Sequence, residues 1–104
     1  AGDFIFTAGQ GGLDPQTGKM VEGGIAAQTR RTPENIAAIL EAGGSSMDKV
    51  VKTTVFLADI NDFAAMNKVY TEFFPHNPPA RTTIAAARLP LEALVEIEAV
   101  AVVS

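Results

Sequence analysis

Val95-Glu96-Ile97-Glu98-Ala99-Val100-Ala101-Val102-Val103 is the stretch that decides the fold. It is rich in β-branched residues and contains no glycine or proline, so it reads as a strand. Alternation sends Val95, Ile97, Ala99 and Ala101 to one face and Glu96, Glu98, Val100 and Val102 to the other. Lys52-Thr53-Thr54-Val55-Phe56-Leu57-Ala58 has the same character. Thr53, Val55 and Leu57 point one way, while Thr54, Phe56 and Ala58 point the other. Both strands therefore carry apolar side chains on both faces.

Working outward, Phe4-Ile5-Phe6-Thr7-Ala8 is a short β-prone run stopped by Gly9, Gly11 and Gly12, and Asp14-Pro15-Gln16-Thr17-Gly18 reads as a turn. Ile25, Thr29, Ile36, Ile39 and Leu40 share one helical face over about 24–42, ended by Gly43-Gly44. Pro33 predicts a kink or break there, with Thr32 as the N-cap of a fresh start. A second helix is expected over 62–74, capped by Asn61 or Asp62. Its stripe is Phe63, Met66, Tyr70, Phe73 and Phe74, with Asn67 inside it. His76-Asn77-Pro78-Pro79 is a loop, and Arg81 to Arg88 a further strand. The order strand, helix, strand, helix, strand, strand is an α+β pattern with two helices packed on one face of a sheet. Two helices leave the sheet's other apolar face uncovered, which implies an oligomer.

A chain of 104 residues, 47 % hydrophobic and 19 % charged, accommodates one packed domain, 1–104. Its 8 basic and 12 acidic residues give a net charge of −4, and Arg30-Arg31 is the one adjacent basic pair, which argues against nucleic acid as a partner. Cysteine is absent, which excludes disulfides, thiolate metal sites and a Cys nucleophile; with a single His, no metal site is expected. The apolar run 99–103 is far short of the ~20 residues of a membrane helix. No secretory signal is visible, so a cytoplasmic location is expected.

No P-loop, HExxH or dinucleotide fingerprint occurs, and Gly9-Gln10-Gly11-Gly12 opens a turn rather than a helix. Ser45 or Ser46 with His76 lacks the strained turn of a hydrolase nucleophile. Arg81 starts a strand and shares a face with the small residues Thr83, Ala85 and Ala87, which predicts space around its guanidinium. It is either a bidentate ligand for a carboxylate or half of a structural ion pair. Glu96 and Glu98 lie either on a solvated strand face or at the border of a buried one. At such a border a carboxylate can serve as general base or position water. Asn67 either bonds to backbone or presents its amide to a pocket.

Ala8-Gly9-Gln10, Leu13-Asp14-Pro15-Gln16-Thr17-Gly18, Val51-Lys52-Thr53-Thr54-Val55-Phe56-Leu57, Asn61-Asp62-Phe63, Pro79-Ala80-Arg81, Ala87-Arg88-Leu89-Pro90 and Glu96-Ile97-Glu98-Ala99 occur in this order. In these segments the chain resembles the Rid (YjgF/RidA) family across nearly its whole length. The resemblance implies a chorismate-mutase-like α+β fold and a homotrimer with clefts between subunits. It implies hydrolysis of 2-imino or enamino acids to 2-oxo acids and ammonia, without metal or organic cofactor. Arg81 matches the family's carboxylate-binding arginine and Glu96 its water-positioning glutamate. The Thr83 backbone N–H, Asn67 and the Gly9 backbone match positions lining the cleft. The family's first strand, with its Ile-Gly-Pro-Tyr segment, has no counterpart here, and Ala8 stands where deaminating members often carry Ser. These departures keep a second reading open, a non-catalytic trimeric protein that binds small 2-oxo acids. RNA cleavage, also ascribed to the family, is disfavoured by the charge.

Overall fold

The computed structural model describes residues 1–103. Four strands, β1 (Phe4–Phe6), β2 (Val50–Leu57), β3 (Ala80–Ala85) and β4 (Val95–Val102), form one mixed sheet in the order β1-β4-β2-β3. β4 runs antiparallel to both β1 and β2, and β3 runs parallel to β2. A parallel neighbour requires a crossover, which the helix α2 (Phe63–Phe73) supplies; α1 (Gly24–Ala42) joins β1 to β2. Among the described residues no helix is long and apolar enough to cross a membrane.

The alternation read from the sequence holds. Val95, Ile97, Ala99 and Ala101 of β4 and Thr53, Val55 and Leu57 of β2 are buried, in a core with Ile36 and Leu40 of α1 and Met66 and Tyr70 of α2. Glu96, Glu98, Val100 and Val102 lie on the opposite, uncovered face and are half-buried. Lys52, Thr54 and Phe56 join them from β2. Phe4, Phe6 and Ile84 on the flanking strands extend that face and are exposed. The surplus apolar face therefore exists.

Pro33 corrects the expected break, because α1 is one helix of 19 residues that runs through it. A proline inside a helix removes a hydrogen bond and crowds the preceding turn, at a cost of ~3 kcal/mol. Here its ring is fully buried, and Thr29, Ile36 and Leu40 on either side are buried too, so packing holds the helix together. Thr32 is not a cap; its hydroxyl donates to the Gln28 carbonyl at 2.7 Å inside the helix. The C-terminus follows expectation. Ser45 N–H donates to Leu40 O and Gly44 N–H to Glu41 O, a Schellman closure that puts Gly44 at φ +87°.

The remaining boundaries shift by a few residues. Asp62 precedes α2 without making a cap bond; Asp59 accepts the Asn61 N–H in the short 3₁₀ turn before it. β3 stops at Ala85 rather than Arg88, because its partner β2 ends at Leu57 and the last bond is Ala86 N–H to Leu57 O at 2.8 Å. After Phe6 the β1 ladder gains a residue. Gln10, where Gly9 would stand in a straight register, exchanges two 2.8 Å backbone bonds with Ile97. Thr7 Oγ1 takes the Ala99 N–H, so Ala8 and Gly9 bulge.

Candidate active site

Phe63, Asn67 and Tyr70 lie four and then three residues apart, so α2 presents them as one row. β3 runs beneath that row. Arg81 pairs with buried Thr53 across the parallel ladder and therefore points toward the helices. Its Nη1 donates to Asn67 Oδ1 at 2.6 Å, and its Cζ lies over the Tyr70 ring (4.7 Å) and the Phe63 ring (5.3 Å). The guanidinium thus rests on aromatic rings rather than in the space expected from its small strand neighbours. Among the described residues no carboxylate pairs with it, whereas Arg30 pairs with Glu72 and Arg31 with Glu34. Within one chain, then, Arg81 is not half of an ion pair among the described residues. A planar cation held by an amide and two rings keeps N–H donors to spare, and the geometry of its fork can match a planar anion.

Tyr70 is buried, and its hydroxyl shares a 2.7 Å hydrogen bond with Thr53 Oγ1. Burial pushes the phenol above its ordinary value; the Thr53 bond and the Arg81 charge oppose this less strongly. Thr83 follows Arg81 on the same face, and its hydroxyl oxygen is buried without a partner. β3 is the sheet's outer strand. Since Ala86 N–H points to β2, alternation turns the Thr83 N–H to the free edge beside Arg81.

Gly9 and Glu96 form a second group. The bulge brings the Gly9 backbone so close that a Cβ there would lie 3.0 Å from Glu96 Cδ and 3.2 Å from Oε1. Glu96 pairs with Phe56 on the uncovered face. The structure thus joins Arg81 with Asn67 and Thr83, and Gly9 with Glu96. It does not join the two groups within one chain, because they lie on opposite faces of the sheet with β2 between their strands. Phe63 and Tyr70 escaped the sequence reading as Arg81's supports. Their spacing around Asn67 carried the signal, but it also fits plain core packing. Among the described residues no three His, Asp or Glu side chains gather closely enough to hold a metal ion.

The fold and these side chains define a class: an α+β protein with two helices on one face of a mixed sheet and, at the sheet's edge, an arginine that no carboxylate among the described residues pairs with. The family described as Endoribonuclease L-PSP matches residues 1–103. A RutC family protein of Pyrococcus horikoshii is 54 % identical over 101 residues, covering 97 % of this chain and 80 % of that protein. The human 2-iminobutanoate/2-iminopropanoate deaminase is 46 % identical over 98 residues, covering 94 % of this chain and 72 % of the human one. The crystal structure of E. coli TdcF with bound serine superposes with a TM-score of 0.93 at 42 % identity, covering 99 % of this chain and 83 % of TdcF. The chain belongs to the Rid/YjgF family, which also carries the L-PSP and RutC names.

Proposed function

We propose that this protein is a 2-iminobutanoate/2-iminopropanoate deaminase, a hydrolase that converts 2-imino acids and their enamine tautomers to 2-oxo acids and ammonia. The observation that carries this reading is the Arg81 guanidinium, held by Asn67, laid over two rings and free of any carboxylate among the described residues. The human relative's name and the amino acid bound to TdcF support a small carboxylate as its ligand. The chain acts as a single Rid-type unit, 1–104, and assembles as a homotrimer. The uncovered apolar face supports assembly, and so does the split of the site between opposite faces, since a second subunit can bring Gly9 and Glu96 to Arg81. The absence of cysteine suits the cytosol.

In the reaction Arg81 takes the substrate carboxylate, with the Thr83 N–H on its free edge. Glu96 orients a water toward the imine carbon and accepts a proton as the C–O bond forms. Glu96 passes that proton to the nitrogen, giving a carbinolamine; the carbinolamine hydroxyl then yields its own proton through Glu96 to the nitrogen, and the C–N bond breaks as the C=O bond forms, its electron pair leaving with ammonia. The products are a 2-oxo acid and ammonia, and no electrons are exchanged with any third species. The imine carbon is already electrophilic, so positioning and modest proton transfer suffice without a metal or organic cofactor. The test is a coupled assay in which an amino-acid oxidase generates 2-iminopropanoate beside the protein; accelerated 2-oxo acid release is expected.

Ala8 favours a second reading. It precedes Gly9 in the chain and offers a methyl where deaminating members of the family often carry a hydroxyl. In that reading the same Arg81 site binds 2-oxo acids without turnover, and titration with 2-oxobutanoate saturates while the coupled assay stays flat. Neither reading calls for nucleic acid as a partner, in keeping with the net charge of −4.

A further inference from the structure

Tyr70 is nearly buried, at 4 % exposed, and so is too deep to touch a substrate held at the free edge of β3. Yet its ring underlies Arg81 at 4.7 Å, and its hydroxyl is fixed to Thr53 at 2.7 Å. Thr53 is itself 1 % exposed and is the strand residue directly opposite Arg81. Phe74 packs against Tyr70 as well, with the two ring centroids 4.9 Å apart. An arginine side chain has several rotatable bonds, and a single amide contact leaves it free to swing about that contact. A ring held by a hydrogen bond at its tip and by Phe74 is a fixed surface. Laying the guanidinium on it selects one plane for the fork, and a bidentate carboxylate requires one plane.

Resting on the reading that Arg81 binds the substrate carboxylate, we infer that Tyr70 and Thr53 are positioning residues: their buried hydroxyl pair sets the plane of the Arg81 guanidinium and thereby the affinity for the carboxylate. Neither residue touches substrate. Both act equally on the bound substrate and on the transition state, because the carboxylate does not change during the reaction. The signature is therefore a raised KM with kcat preserved.

Three variants isolate the effect. Thr53→Val keeps the β-branched shape a strand favours but leaves the Tyr70 hydroxyl buried without its partner. Tyr70→Phe leaves Thr53 in the same position, and the double variant removes both hydroxyls together. Each single variant should lose thermal stability, and the double variant should recover part of it. KM for 2-iminopropanoate, or Kd for 2-oxobutanoate if turnover is absent, should rise about 3- to 10-fold in all three, with kcat within about 2-fold of wild type. Thr53→Ser, which keeps a hydroxyl, should restore wild-type KM. A folded double variant, or a folded Thr53→Val, with wild-type KM or Kd overturns the positioning role and leaves the pair purely structural. Arg81→Ala, run alongside, separates the two claims. If it binds 2-oxobutanoate as wild type does, the carboxylate reading fails, and the positioning role fails with it. If it loses binding while the hydroxyl variants do not, only the positioning role fails.

Discussion

Replacing Gly9 with alanine puts a single methyl group between the bulge and the Glu96 carboxylate. The added Cβ would lie 3.0 Å from Glu96 Cδ, 3.1 Å from Cγ and 3.2 Å from Oε1, against the 3.4–4 Å of ordinary contact. Glu96 must therefore retreat by a few tenths of an ångström. It can do so cheaply, since the atoms struck belong to a flexible side chain on the uncovered face. The Gly9 backbone does not have a positive φ, so alanine is tolerated there. Alanine also restricts the unfolded chain, which returns about 0.4–1 kcal/mol. Stability should stay within about 0.5 kcal/mol of wild type, a Tm change of roughly 2–4 °C. Catalysis should not be spared. Misplacing a catalytic group by about 1 Å can cost ~100-fold, so a displacement of a few tenths should lower kcat about 3- to 10-fold. KM should hold, because the substitution removes none of the contacts that hold Arg81, the carboxylate anchor. The assay is imine hydrolysis coupled to an amino-acid oxidase, with a thermal melt on the same preparation. An unchanged kcat would refute the role given to Glu96. A Tm loss beyond about 8 °C would show that the bulge, not the side chain, bears the clash.

The same substitution at Gly12 should behave oppositely, since its Cβ would meet the α1 backbone at Gln28 Cα, 2.9 Å away. Gly12→Ala should cost about 1–3 kcal/mol in denaturant unfolding. Asn35→Ala removes the amide that donates to Gly11 O (3.0 Å) and Leu13 O (2.8 Å). It should cost about 1–2 kcal/mol and speed hydrogen exchange over 10–21. Burial raises the Tyr70 phenol above its ordinary 10.0, so above that pH the folded chain holds a proton that the unfolded chain releases. The resulting stability is complete below about pH 10 and is lost as pH climbs through the raised value; Tyr70→Phe should flatten that decline in unfolding measured from about pH 9 to 11.

The strands were legible because alternation is a local signal. Val95 to Val102 shows two faces on inspection, and its surplus of apolar residues announced the uncovered one. Pro33 misled for the same reason, since a local rule prices the lost hydrogen bond without seeing the packing around the ring. The surroundings of Arg81 were misjudged because its strand neighbours are small, whereas what it touches comes from a helix 11 to 18 residues earlier in the chain. Asn67 was open to two readings until β3 was placed beneath α2. The approach of Gly9 to Glu96 depends on one extra residue in a ladder between segments far apart in sequence, and no local pattern encodes that register. Resemblance supplied the pairing of roles; the geometry supplied the reason Gly9 carries no side chain.

The most direct test of the account is 2-oxo acid release from 2-iminopropanoate generated in the presence of the folded protein, its Arg81→Ala variant or buffer. The account predicts acceleration by the wild type and none by the variant. Equal rates in all three, from protein shown to be folded and oligomeric, would contradict the deaminase reading. Acceleration that survives in Arg81→Ala would contradict the site.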